Sequence, residues 1–182
     1  LITSYYRDGT TVHDITHPSY MIQVAYYDSY SGSGNGFDGC WGTYPYLPSG
    51  NIISSDINSG SGGSGRLLIY GRDFQQACYL KGNVTDGITS SPISNASIEI
   101  LSTTINENTN LIGFYQTASV NSGTFQVVFS APGYASDTLT INLVNGVMTI
   151  LDAVLFPPCN TFNIVTNNNV QICSDSSYSV GN

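Results

Sequence analysis

Gly123-Thr124-Phe125-Gln126-Val127-Val128-Phe129-Ser130 sets Phe125, Val127 and Phe129 at every second position and runs into Ala131-Pro132-Gly133-Tyr134. A period of two is that of a half-buried strand, and Pro-Gly ends it in a turn. The three apolar residues are therefore expected to face a core. Upstream, Ile98-Glu99-Ile100 repeats the alternation. Working outward, strands are predicted at residues 79–84, 96–101, 113–117, 123–130, 138–144 and 147–155. The turn clusters between them are Thr85-Asp86-Gly87, residues 106–110, Val120-Asn121-Ser122, Ala131-Pro132-Gly133 and Asn145-Gly146. Gly82 and Gly87 are expected to serve turns and Pro92 to end a loop. Asn145-Gly146 between alternating hydrophobics is the strongest hairpin signal of the chain. No window holds a capped helical stripe, so this spacing predicts a small β-sandwich.

The composition fits. Of 182 residues only 9% are charged, with four Lys and Arg against twelve Asp and Glu and a net charge of −8. A globular domain typically carries roughly 25% charged residues. Arg7, Arg66, Arg72 and Lys81 are too few and too scattered for the basic stripe that a nucleic-acid partner or a polybasic membrane anchor requires. Hydrophobic residues make up 41% of the chain, enough for a packed core. Neutral polar residues (24 Ser, 17 Thr and 17 Asn) replace the missing charge. No apolar run reaches the length of a transmembrane helix. Leu1 opens directly on a strand-like run, as in a mature protein or a piece of a longer one.

Before residue 78 the strand signals continue, at residues 1–6, 11–15, 21–27, 40–47, 52–56 and 67–70. Arg7-Asp8-Gly9 is a hairpin turn between the first two. Ser59-Gly60-Ser61-Gly62-Gly63-Ser64-Gly65 has the composition of a flexible linker. The four cysteines, Cys40, Cys78, Cys159 and Cys173, allow three pairings. The short Asn-rich loop between Cys159 and Cys173 favours that pair, and with it an oxidising compartment. Residues 157–182 read as an Asn/Ser-rich tail or the start of a further module.

Two resemblances add to this. Leu80-Lys81-Gly82-Asn83-Val84-Thr85-Asp86, Pro92-Ile93-Ser94-Asn95-Ala96-Ser97-Ile98-Glu99-Ile100, Gly113-Phe114-Tyr115 and Ala131-Pro132-Gly133-Tyr134 resemble, in this order, the carboxypeptidase regulatory-like domain. That family implies a transthyretin-like β-sandwich that is an accessory module and supplies no catalytic residues. In the first part, Val12-His13-Asp14-Ile15-Thr16-His17-Pro18 and Cys40-Trp41-Gly42-Thr43-Tyr44-Pro45-Tyr46-Leu47-Pro48-Ser49-Gly50-Asn51 resemble the last blades of a β-propeller of the choice-of-anchor B, LVIVD-repeat type. The expected fold is thus all-β, with partial propeller blades at 1–71, a transthyretin-like sandwich at 72–156 and the tail at 157–182. Both resemblances imply secreted or surface proteins such as those of Bacteroidota.

Motifs for chemistry are sparse. His13 and His17 have the i, i+4 spacing of zinc ligands on a helix, but Thr11-Val12-His13-Asp14-Ile15 reads as a strand, so no metal is expected there. Gly60 to Gly65 spells GxGxxG without the following helix that a dinucleotide phosphate needs. Asp14, Asp28, Asp38 and Asp56 sit at turns or strand ends, where acids cap backbone more often than they catalyse or bind calcium. No catalytic residue, cofactor or metal is expected, and the chain is read as a non-enzyme. Among thirteen tyrosines, Tyr44 and Tyr46 together with Trp41 are the candidate ligand-stacking residues, for carbohydrate or a surface. Asp137-Thr138-Leu139 resembles the O-glycosylation motif of Bacteroidota, with Thr138 as acceptor. The function expected is an extracellular or cell-surface scaffold, spacer or adhesion module. Its partner would be an unknown surface or matrix component, carbohydrate or further copies of the chain. The alternatives are a subunit of an extracellular fibre and an accessory fragment of a secreted metal-dependent hydrolase.

Overall fold

The structure is a computed structural model that describes residues 1–34, 36–57 and 64–158. Cys159, Cys173, the tail and the GxGxxG run lie wholly or largely outside the described residues. Every regular element among those described is a β-strand. In chain order these are β1 (Ile2–Ser4), β2 (Thr10–Asp14), β3 (Ile22–Tyr27), β4 (Cys40–Tyr44), β5 (Ile52–Asp56), β6 (Arg66–Tyr70) and β7 (Cys78–Asp86). They are followed by β8 (Ser97–Ile100), β9 (Asn106–Asn108), β10 (Phe114–Ser119), β11 (Gly123–Ser130), β12 (Asp137–Leu143), β13 (Met148–Ile150) and β14 (Ala153–Leu155).

Four sheets result: β1-β2-β3, β4-β5-β6, β12-β11-β8-β9, and β10-β7-β13 with β14 also paired to β7. The chain divides into two compact units. One comprises Leu1–Tyr79, Ala118–Gly123 and Leu143–Met148, and the other the remainder.

The second unit is a β-sandwich, as the alternation predicts. Ile98 and Ile100 of β8, Val127 and Phe129 of β11, Leu80 and Val84 of β7, Tyr115 of β10 and Leu155 of β14 are buried in its core. Tyr115 and Phe129, from opposite sheets, meet edge to face with centroids 5.7 Å apart. Phe125 is half-buried, so the alternation holds along β11.

Four local expectations are corrected. Gly82 lies inside β7 and not in a turn. A Cβ there would stand 1.9 Å from the Leu151 carbonyl oxygen, so only glycine lets the two backbones approach. Residues 147–155 form two strands, because the ladder changes hands at Leu151-Asp152. The Leu151 carbonyl accepts the Tyr115 hydroxyl at 2.6 Å, while the Asp152 carboxylate accepts the Asn83 N–H at 2.8 Å. Residues 106–108, read as turn, add the edge strand β9, with Ile98 opposite Glu107 and Ser97 Oγ bonded to Asn106 Oδ1.

Finally, Asn145-Gly146 does not join a hairpin, since β12 and β13 belong to different sheets. The turn is spent on another contact. Gly146, at φ +74°, donates its N–H to the Ala77 carbonyl, and Asn145 Nδ2 donates to the Gln76 carbonyl at 2.7 Å. By contrast, Arg7-Asp8-Gly9 does lie in the connection of an antiparallel pair, with Ser4 opposite Thr10 and Gly9 at φ +78°.

Gly82→Ala should therefore lower the unfolding free energy by about 2–3 kcal/mol, because backbone cannot yield to a Cβ as a side chain can. Gly133→Ala meets no atom within 4 Å and carries only the left-handed backbone cost, about 1 kcal/mol. Urea unfolding of the two variants checks the order, and equal losses would contradict the close approach.

Candidate functional site

The candidate site lies in the first unit, where two β-bulges decide which side chains face outward. In β4 and β5, Cys40 is opposite Asp56 but Gly42 is opposite Ser55, so Trp41 is an extra residue without a partner. A bulge reverses the alternation beyond it. Cys40 and Thr43, three apart, consequently point to the same inner face, and Tyr44 is turned outward opposite Ile53.

The inner face is a network of hydroxyls. Thr10 Oγ1 lies 2.6 Å from Ser54 Oγ and 3.3 Å from Cys40 Sγ, and Thr43 Oγ1 lies 2.9 Å from Ser54 Oγ. The Tyr70 hydroxyl accepts from Thr10, and burial raises its pKa. Cys40 is thereby a free buried thiol in a polar seam. Cys78 is a second free buried thiol, with its pKa raised by burial.

The outer face of β4-β5-β6 carries Trp41, Leu67 and Ile69, which are 57%, 66% and 65% exposed. Tyr44, Ile53 and Ile69 form one cross-strand row. Tyr46 follows β4, is exposed, and meets Tyr44 edge to face at 5.7 Å. Trp41 meets Tyr6 at 5.8 Å, and Tyr6 in turn meets Phe37 at 5.1 Å. All three candidate stacking residues are thus exposed on the first unit, Tyr44 and Tyr46 in mutual contact and Trp41 in a separate aromatic group. Leu67 and Ile69 share the face of Tyr44 and were missed. The signal was present, because Leu67-Leu68-Ile69-Tyr70 is a continuous apolar run, the pattern of a strand with two apolar faces.

The other candidates have local partners. Asp14, buried, accepts the Thr16 N–H and hydroxyl and the Ala77 N–H, at 2.9, 2.6 and 2.9 Å. Burial raises its pKa, but these hydrogen bonds outweigh burial and leave it below the usual carboxylate value. Beside it lies the buried Tyr79 hydroxyl, and burial and the Asp14 charge push its pKa up. Asp28 caps the Tyr30 N–H, Asp38 pairs with Arg7, and Asp56 accepts the Ser29 hydroxyl. The His17 ring packs edge-on to Tyr79 at 4.4 Å. Among the described residues no three His, Cys, Asp or Glu side chains form a metal-ligand group. Thr138 is exposed on β12 of the second unit. There Asp86 is held by Tyr134, whose hydroxyl donates to Asp86 Oδ2 at 2.6 Å, and by the Ile88 and Thr89 N–H groups, which lower its pKa.

The sandwich segment has a counterpart among known families. Residues 79–156 match the family model of the carboxypeptidase regulatory-like domain. Gly82, Asp86 and Tyr134 of this regulatory-like segment serve its architecture, by a backbone contact and a turn cap. Comparison with curated proteins gives no match. Among solved structures the chain is similar to GBS52, the minor pilin of the Gram-positive pathogen Streptococcus agalactiae, at 12% identity and a TM-score of 0.41. That likeness covers 68% of this chain, which spans 66% of the pilin chain.

Asp14 and Asp86 make acid stability predictable. Their folded pKa values lie below the unfolded value of about 3.9, so their contribution is present above that pH and is lost as pH falls through the folded pKa. Unfolding free energy should fall below about pH 4, and the Asp14→Asn/Asp86→Asn double variant should lose less over the same range. An equally steep acid loss in the double variant would contradict this assignment.

Proposed function

We propose that the chain is a non-catalytic secreted or cell-surface β protein that acts as a scaffold, spacer or adhesion module. In this reading residues 1–71 are a propeller-type blade segment that presents the contact surface, and residues 72–156 are the sandwich that carries it. The consecutive antiparallel sheets β1-β2-β3 and β4-β5-β6 support the blade reading, although propeller blades commonly have four strands. The regulatory-like match supports the spacer reading. Asp14, Asp56 and Asp86 are engaged in structural hydrogen bonds, which supports a role without acid–base chemistry.

The observation that carries the adhesion reading is the outer face of β4-β5-β6, exposed among the described residues. Trp41 and Tyr44, flanked by Tyr46, stand exposed beside Leu67 and Ile69. Aromatic faces held on a strand lose little entropy on contact and stack on the apolar faces of sugars or on apolar surfaces. A surface or matrix component, or carbohydrate, is the partner this face suits.

A second reading is favoured by β6, which lies at the edge of its sheet with Leu67 and Ile69 exposed. Such an edge is suited to pairing between copies of the chain in an extracellular fibre.

Surface retention of the purified chain should drop at least about fivefold in the Trp41→Ala/Tyr44→Ala/Tyr46→Ala variant, the loss of at least one aromatic contact of about 1 kcal/mol. Unchanged retention would refute the adhesion reading. Sedimentation across a concentration series tests the second: assembly abolished by Ile69→Lys supports it, and a concentration-independent monomer rules it out.

A further inference from the structure

The other sheet of the first unit presents a different surface. In β2 and β3, Thr11 is opposite Tyr26 and Val12 opposite Ala25, but His13 is opposite Gln23, so Val24 is the extra residue of a bulge. As in β4, the bulge resets the alternation. It sends Ile22 and Val24 inward against Ala77 and Tyr79. It also brings Gln23 round to the outer face, beside Tyr26, three residues along.

The outcome is an open groove of about 490 Å³, within the size of small-molecule sites. Thr11, His13 and Gln23 line it along the sheet. Tyr5 and Tyr26 stand over it, 63% and 69% exposed, and Asp8 and Asp28 add carboxylates.

Elsewhere in this unit several polar side chains are used by the fold, as with Asp14, Asp56, Thr10 and Ser54. In the groove they are largely unspent. Among the described residues, the Asp8 carboxylate, the Gln23 amide and the Tyr5 and Tyr26 hydroxyls have no hydrogen-bond partner, and the His13 Nδ1 is buried without one. Asp28 uses one carboxylate oxygen on the Tyr30 N–H, and Thr11 is paired with Thr3.

Exposed aromatic faces beside unspent donors and acceptors suit a hydroxylated ring. Its C–H face packs on tyrosine, and its hydroxyls donate to carboxylates and accept from the amide. An ammonium group would be satisfied by carboxylates and aromatic faces alone and would leave the Gln23 donors idle. Two carboxylates and no Lys or Arg in the lining disfavour an anionic ligand.

We infer that this groove binds a short neutral oligosaccharide. The inference rests on the reading of the chain as an adhesion module, but it places the sugar on a surface that contains none of Trp41, Tyr44 and Tyr46. The two therefore fail separately.

The test is titration of the full 182-residue chain with cellotriose, mannotriose and chitotriose, followed by NMR, with sialyllactose and trilysine as charged controls. At least one neutral trisaccharide should bind more tightly than either control. Tyr5→Ala and Tyr26→Ala should each weaken it about tenfold, Tyr26→Phe should retain most of it, and Leu111→Ala, exposed on the second unit, should leave it unchanged. The groove assignment is overturned if no neutral trisaccharide binds, if a charged control binds more tightly, or if the Tyr5 and Tyr26 variants bind as the parent does. Neutral sugar binding lost in Trp41→Ala but kept in Tyr26→Ala would also overturn the groove, while preserving adhesion through the aromatic face.

Discussion

One surplus residue in each of two strands governs the surface of the first unit. Val24 in β3 and Trp41 in β4 have no partner across the ladder. Because side chains alternate with a period of two, each insertion exchanges the faces of everything beyond it. Without the bulge at Trp41, Tyr44 would point inward and Thr43 outward, and the Thr43–Ser54 hydrogen bond would be lost. Without the bulge at Val24, Ile22 would leave the Ala77–Tyr79 cluster and Gln23 would enter it. The same two irregularities therefore close the interior and populate the exterior with the groups proposed to make contact.

The interior that results is unusual in its chemistry. Thr10, Thr43, Ser54, Cys40 and Tyr70 meet through hydroxyls and a thiol, where a larger apolar core would be the common solution. Each neutral group is partnered, so the seam avoids the desolvation cost of buried charge. The few cations are spent on loops. Arg7 donates to the Ser33 carbonyl and pairs with Asp38, Arg66 donates to the Ser29 carbonyl, and Arg72 to the Pro45 carbonyl. Scarce charge is thus used at fixed points, and the aromatic surface is left uncharged.

The sandwich was largely legible in the sequence, because Ile98-Glu99-Ile100 and Phe125-Gln126-Val127 state their period within a few residues. What was not legible depended on partners distant in the chain. Gly82 reads as a turn residue until the Leu151 carbonyl is seen against it. Asn145-Gly146 reads as a hairpin until its groups are found bonded to Gln76 and Ala77. Of the proposed contact surface, Trp41, Tyr44 and Tyr46 stood out as candidate stacking aromatics. The groove did not, because Tyr5, Gln23 and Tyr26 share a face only through a bulge that no local pattern announces. Bulges are set by register, and register is a property of two strands together.

Laser-polarised NMR with a flavin dye reports which tyrosine and tryptophan rings a solute can touch. It tests the outward placement of these aromatics most directly. Strong polarisation is predicted for Tyr5, Tyr26, Trp41, Tyr44 and Tyr46, and none for the buried Tyr79 and Tyr115. Silent signals from Tyr26 and Tyr44 in the monomeric chain would contradict the two bulges, and with them the surfaces built on them.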